Sequence, residues 1–132
     1  MKFLLLLYGD ETRWAEMPPE ALAESVEVWN AFGRELIESG VYIAGEGLHP
    51  TATATTVRYE NGELVRTDGP FAETREQLGG FYLLECQDID EAVAWATKVP
   101  DLPEDGSVEV RPIMDYEAYG YESPEATEAA RG

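Results

Sequence analysis

The sequence predicts an α+β fold: a ferredoxin-like split βαβ sandwich with an inserted β-hairpin, which pairs with a second copy of itself as a homodimer. Three observations predict it. Strand-like and helix-like stretches follow one another in the order strand, helix, strand, hairpin, strand, helix, strand. Asn61-Gly62 stands between two alternating runs, the strongest short-range hairpin signal. Two of the strands are apolar on both sides, although two helices can cover only one face of a sheet, so a second subunit stacked sheet on sheet has to bury the other.

The first element is "KFLLLLY", which is too short for a free-standing helix, stops at Gly9-Asp10 and reads as a central strand buried on both faces. The same run resembles the start of a signal peptide, but "GDE" follows it without a small-residue cleavage site. No stretch approaches the roughly 20 apolar residues of a membrane helix. The expectation is a cytoplasmic protein that begins with a strand.

After a polar connection, "MPPEALAESVEVWNAFGRELIESG" carries helix start and stop marks: Pro19 and Glu20 in the first turn, Glu24 soon after, and Gly40 as the stop. Leu22, Val26, Trp29, Gly33 and Leu36 or Ile37 form one stripe, expected to lie on the sheet with Gly33 allowing close backbone approach. "VYIAGEGLHP" begins as a strand and breaks at Gly45 and Gly47. The hairpin follows. A two-residue loop sets Tyr59 opposite Leu64, and also Glu60 opposite Glu63, a like-charge pairing that a slightly longer loop would relieve.

"GGFYLLEC" reads as a second interior strand. "DIDEAVAWATKVP" is a helix with Asp88 as N-cap, Glu91 three residues on and Pro100 as terminator, burying Ile89, Ala92, Val93 and Ala96. "GSVEVRPI" alternates as the last strand. Residues 1–113 therefore make one domain, and residues 114–132 an acidic tail. In that tail Tyr116, Tyr119 and Tyr121 are expected over the body or a partner, with the last few residues mobile.

A chain of 132 residues suits a single core. Its formal charge of −18 repels phosphate backbones and anionic bilayers, so neither nucleic acid nor a membrane surface is an expected partner. Such acidity also serves solubility, and in salty cytoplasm it can be a general habit. Cys86 is the single cysteine, which excludes an intrachain disulfide, and its apolar setting suits a buried, inert thiol.

Five segments in order, "MKFLLLLYGDE", "AGEGLHPTATATTVR", "VRTDGPFAETREQLGGFYLLE", "DIDEAVAWATKVP" and "GSVEVRPI", resemble the YCII-related proteins, and among them the branch named for its Asp-Gly-Pro-Phe motif. The resemblance runs from about Met1 to Ile113. It implies a ferredoxin-like fold that dimerises sheet to sheet into an α/β barrel, as in a superfamily that includes muconolactone isomerase and small cofactor-free monooxygenases. Some members are associated with extracytoplasmic-function sigma factors. A histidine and aspartate pair has been proposed as catalytic in the wider family, with its histidine early in the chain. No histidine precedes His49 here, so Asp68, Gly69, Pro70 and Phe71 transfer as a signature and the pair does not.

Two functions compete. The first is a cofactor-free small-molecule enzyme using acid/base chemistry near the Asp68 loop. His49 is its natural proton-transfer group, Asp68 and Glu73 are carboxylates that burial would turn into bases, and Arg75, Arg111 and Tyr82 are the substrate-binding candidates. The arginines suit a bidentate grip on a carboxylate. The second is a non-catalytic ligand- or partner-binding dimer, linked to sigma-factor regulation, in which Asp68-Gly69-Pro70 is simply a turn. One histidine, one cysteine and scattered acids give no metal-ligand spacing, and no cofactor motif occurs. Trp14, Trp29 and Trp95 are expected to pack or to line a pocket.

Overall fold

The apolar opening run forms β1 (Lys2–Gly9), the inner strand against which the sheet is built. In the computed structural model, which describes residues 1–125, β1 lies between β5 (Gln77–Glu85) and β6 (Ser107–Pro112), and β2 (Tyr42–Gly47) pairs with the outer side of β5. The order β2-β5-β1-β6 is antiparallel throughout. This is the ferredoxin-like arrangement: the helix after β1 carries the chain to β2 and leaves a slot that β5 fills. That helix is α2 (Pro19–Glu38), and it shares one sheet face with α3 (Ile89–Ala96). No helix among the described residues is long and apolar enough to cross a membrane.

The hairpin is β3 (Thr55–Glu60) with β4 (Glu63–Asp68), a separate two-stranded sheet. Asn61 at φ 52° and Gly62 at φ 80° give the two positive angles of a type I′ turn. Tyr59 faces Leu64 and Glu60 faces Glu63, so the loop stays at two residues. Both glutamates are exposed, where water weakens their repulsion.

Strand alternation decides what is buried. Phe3, Leu5 and Leu84 face the helices and, with Phe32, Leu36, Ala92, Ala96 and Val99, form the centre of the core. Asp88 caps α3 as expected: its Oδ1 accepts from the Glu91 N–H at 2.9 Å. A short α1 (Thr12–Ala15) occupies what read as a plain polar connection. It is started by Asp10, whose carboxylate accepts from the Thr12 N–H at 3.0 Å and hydroxyl at 2.7 Å.

Both helix faces follow the periodicity reading in part: Leu36, Ala92 and Ala96 are buried as expected. On α2 the buried residues are Phe32 and Leu36, whereas Val26 is 43% and Ile37 62% exposed. Phe32 draws the helix round because its ring has three aromatic neighbours: Tyr82 at 5.5 Å, Trp29 at 6.4 Å and Trp95 at 6.5 Å between centroids. On α3 the two alanines meet the sheet, and Ile89 and Val93 are exposed instead of buried. Gly33 does not bring backbones together, since a β-carbon there would meet nothing within 4 Å.

After β6, the Ile113 N–H still bonds the Lys2 carbonyl at 2.9 Å. Tyr116, Tyr119 and Tyr121 then stand exposed, with Tyr116 and Tyr121 edge to face at 6.2 Å. The tail end, residues 126–132, on which the expectation of mobility falls, lies outside the described residues.

Candidate functional site

A hollow of about 990 Å³ opens between the sheet and the helices α1 and α2. Its cause is an absence of side chains. Leu7 of β1 pairs with Gly80 of β5, and Gly80 with Gly47 of β2, so on the helix-facing side of this end two of the three positions are bare. Gly80, and Gly45 two residues before Gly47, are held as glycines by close approach. A β-carbon on Gly80 would sit 2.8 Å from the Glu46 carbonyl oxygen, and one on Gly45 would sit 2.6 Å from the Tyr82 ring.

The opposite wall is α2. Leu22, Val26, Gly33 and Ile37, most of the stripe that sequence periodicity placed against the sheet, line this hollow instead. Trp14 of α1 and Trp29 of α2 complete the apolar lining, with Tyr42 and Tyr82 from the strands. Tyr82 is fixed by edge-to-face contacts with Phe32 and, at 6.4 Å, with Tyr42.

Most charged groups around the hollow are already committed. Asp101 accepts from Trp14 Nε1 at 3.3 Å and lies 3.6 Å from Arg13. Thr12 holds Asp10 and keeps its carboxyl below the usual range, first through its hydroxyl and then through its backbone N–H. Glu11 ties the rim together. Its carboxylate accepts from the Thr51 N–H at 2.8 Å and hydroxyl at 2.6 Å, and its own N–H donates to Gln77 Oε1 at 3.1 Å. The segment from His49 to Thr51 is thereby fastened to the start of α1 and to the start of β5.

Several polar groups on the wall have no protein partner among the described residues, among them the Arg34 guanidinium, the Asn30 amide, the Tyr82 hydroxyl and, enclosed by protein, Trp29 Nε1. Burial, and secondarily the neighbouring Tyr42, pushes the Tyr82 phenol above its ordinary value. At neutral pH it is therefore a hydrogen-bond donor and not a base.

The residues singled out from the sequence are divided by the fold. His49 and Tyr82 line the hollow. Glu73 lines a smaller recess of about 360 Å³ with Pro70, Thr74 and Gln77. Asp68 ends β4, pairs with Thr55 and lines neither space. His49, Asp68 and Glu73 are all exposed. Arg75 is exposed in the loop before β5. Arg111 shares the helix-free sheet face with Leu4 and is engaged by Glu109 at 2.6 Å, a contact that raises its pKa.

The Asp-Gly-Pro-Phe turn is held without the Asp68 carboxylate. Gly69 adopts φ 109°, its N–H donates to the Ala54 carbonyl at 2.7 Å, and its carbonyl accepts from Thr56 Oγ1 at 2.8 Å. Phe71 is exposed, and its carbonyl accepts from Arg58 at 3.3 Å. Among the described residues no group of three or more His, Cys, Asp or Glu is arranged to hold a metal ion.

Sequence reasoning missed Arg34 and the glycine floor, whereas Trp14 and Trp29, expected to pack or to line a pocket, do line the hollow. One signal was available: Gly45 and Gly47 are two apart in one strand and Gly80 opens another, which puts bare positions on a common face.

A family model describing the YCII-related domain matches residues 1–117. An uncharacterized protein of Rhizobium meliloti (strain 1021) is 38% identical over 120 residues, covering 88% of this chain and 94% of the relative.

Proposed function

The chain belongs to the YCII-related family, and from that premise we propose that it binds a small molecule with an apolar or aromatic body in the hollow under α2. The observation that carries this reading is the glycine-floored space of about 990 Å³, in the size range of small-molecule sites and walled by Trp14, Trp29, Tyr42 and Tyr82. A structural defect would be expected to close by side-chain repacking, since interiors fill to near crystal density. This one stays open although Gly33 leaves room for any larger residue.

The test is a thermal-shift screen of aromatic and aliphatic metabolites on the wild type and on Gly33→Leu, whose added side chain projects into the hollow. A ligand that raises the wild-type midpoint and loses that effect in Gly33→Leu supports the reading. Ligands that stabilise both proteins equally would place binding elsewhere.

Cofactor-free acid/base chemistry on the bound molecule is a second reading, favoured by the presence of His49 on the same wall. It is checked by deuterium exchange at the ligand's acidic carbon followed by NMR, with exchange lost in His49→Gln and retained in Asp68→Asn. The proposal also includes a homodimer. Leu4, Leu6, Phe81 and Leu83 occupy the sheet face that the helices leave open and are only half-buried in one chain. Leu83→Glu should convert a dimeric mass in sedimentation to a monomeric one; a wild type that sediments as a monomer would refute this part.

A further inference from the structure

Arg34 is an exposed residue in a chain with 27 acidic and 9 basic residues, and its side chain, like those of Lys2, Arg66 and Arg75, has no partner among the described residues; what sets it apart is its place on the wall of the hollow. Arg13 is within 4 Å of two carboxylates, Lys98 pairs with Glu35, and Arg111 with Glu109. Arg34 lines the hollow and makes no ion pair or hydrogen bond among the described residues. Glu38 lies four residues further along α2, where an i, i+4 pair would be available, and the pair is not formed.

Resting on the proposed cavity, we infer that its ligand is an acid: an aromatic or apolar body carrying one anionic group, taken by Arg34 with Asn30 one turn earlier as a second donor. Both residues line the hollow on the same stripe of α2 as Val26 and Ile37. A guanidinium is always charged and offers paired N–H groups that match a carboxylate or sulfonate. The Tyr82 hydroxyl, kept protonated, supplies a further donor.

The acids on the wall set what Arg34 has to overcome. Asp101 is offset by Arg13, whereas Asp10 and Glu11 accept from neutral groups of Thr12 and Thr51, which orient a carboxylate without cancelling its charge. Glu46 alternates with Gly45 and Gly47, which turns its side chain to the other sheet face beside Phe81. Asp105 is the acid left, exposed on the turn whose N–H groups bond the Asp101 carbonyl, next to the Arg13 cluster.

Two probes with the same aromatic body separate the charge from the cavity: 1-anilinonaphthalene-8-sulfonate and its uncharged counterpart N-phenyl-1-naphthylamine. Fluorescence titrations are run on wild type, Arg34→Gln, Arg34→Lys and Gly33→Leu at fixed ionic strength. The expected result is that Arg34→Gln weakens the sulfonate about tenfold or more and the neutral probe less than twofold, with Arg34→Lys intermediate for the sulfonate. Gly33→Leu should weaken both. Equal affinity of the sulfonate for wild type and Arg34→Gln, or an equal loss of both probes in Arg34→Gln, would overturn the anion assignment while leaving the cavity reading intact. If neither probe binds the wild type, or Gly33→Leu binds both as well as the wild type does, the cavity reading itself fails and takes this inference with it.

Discussion

The two ends of the sandwich use the same strands and the same helix, and they differ in what faces inward. Where β1 begins, Phe3 and Leu84 lie side by side under Leu36, with Val41 beside them, and all four are buried. Where β1 ends, the equivalent row is Leu7, Gly80 and Gly47, and α2 stands over open space. Topology does not distinguish the two ends; side-chain volume does. Stability and binding are therefore carried by separate residues, and substitutions at the two ends should have opposite characters.

The largest effect is expected at the packed end. Leu84 is fully buried at the centre of the core. Leu84→Ala should cost about 2–5 kcal/mol of unfolding free energy in urea titration, because the site cannot collapse around the lost volume. A loss below 1 kcal/mol would mean that this end is as loose as the other.

Gly80→Val is the next largest. The new β-carbon would lie 2.8 Å from the Glu46 carbonyl, a backbone atom that cannot rotate away, so β2 must move off β5. The cost should be about 1–3 kcal/mol by denaturant unfolding, with probe binding reduced as the floor is displaced. An unchanged midpoint would show that β2, an edge strand, yields freely.

What could be read in advance follows the same division. The hairpin was legible because Asn61-Gly62 fixes both turn type and register, and α3 because Asp88 and Glu91 are placed as a cap requires. The hollow was not legible from periodicity. A 3.6-residue repeat identifies apolar positions on α2 but not the distance from helix to sheet, so Val26 was assigned to a contact that does not exist, and of the alternatives Leu36 and Ile37 only Leu36 reaches the core. Phe32 was overlooked because its neighbours Tyr82 and Trp95 come from distant parts of the chain. His49, Asp68 and Glu73 were grouped by chemical type, and no sequence rule places three loop residues in one recess.

A smaller effect of opposite sign is expected at the hollow end. Gly33 is inside a 20-residue helix and has open space where a β-carbon would be. Gly33→Ala should therefore raise stability by about 0.5–1 kcal/mol, the helix-propensity difference, without any new packing. A loss of stability would indicate that α2 sits closer to the sheet than the open hollow implies.

The smallest effect concerns Tyr82 and tests whether its part of the wall is dry. Burial, followed by the neighbouring Tyr42, raises the phenol's folded-state value above the unfolded one. The native state thus holds this proton longer than the unfolded chain does. The resulting stability is fully present below the ordinary tyrosine range near 10, and it is lost as pH rises through that range to the raised value. Nothing changes at neutral pH, where the phenol is protonated in both states. In an absorbance titration of the native protein at 295 nm, Tyr82→Phe should remove the step at the alkaline end of the curve and leave the earlier ones. A ligand seated against Tyr82 should displace that last step further upward by excluding more water, and Gly33→Leu should imitate the ligand. If the step removed by Tyr82→Phe falls among the early ones, water reaches the floor of the hollow freely, and an apolar ligand would gain little by displacing it.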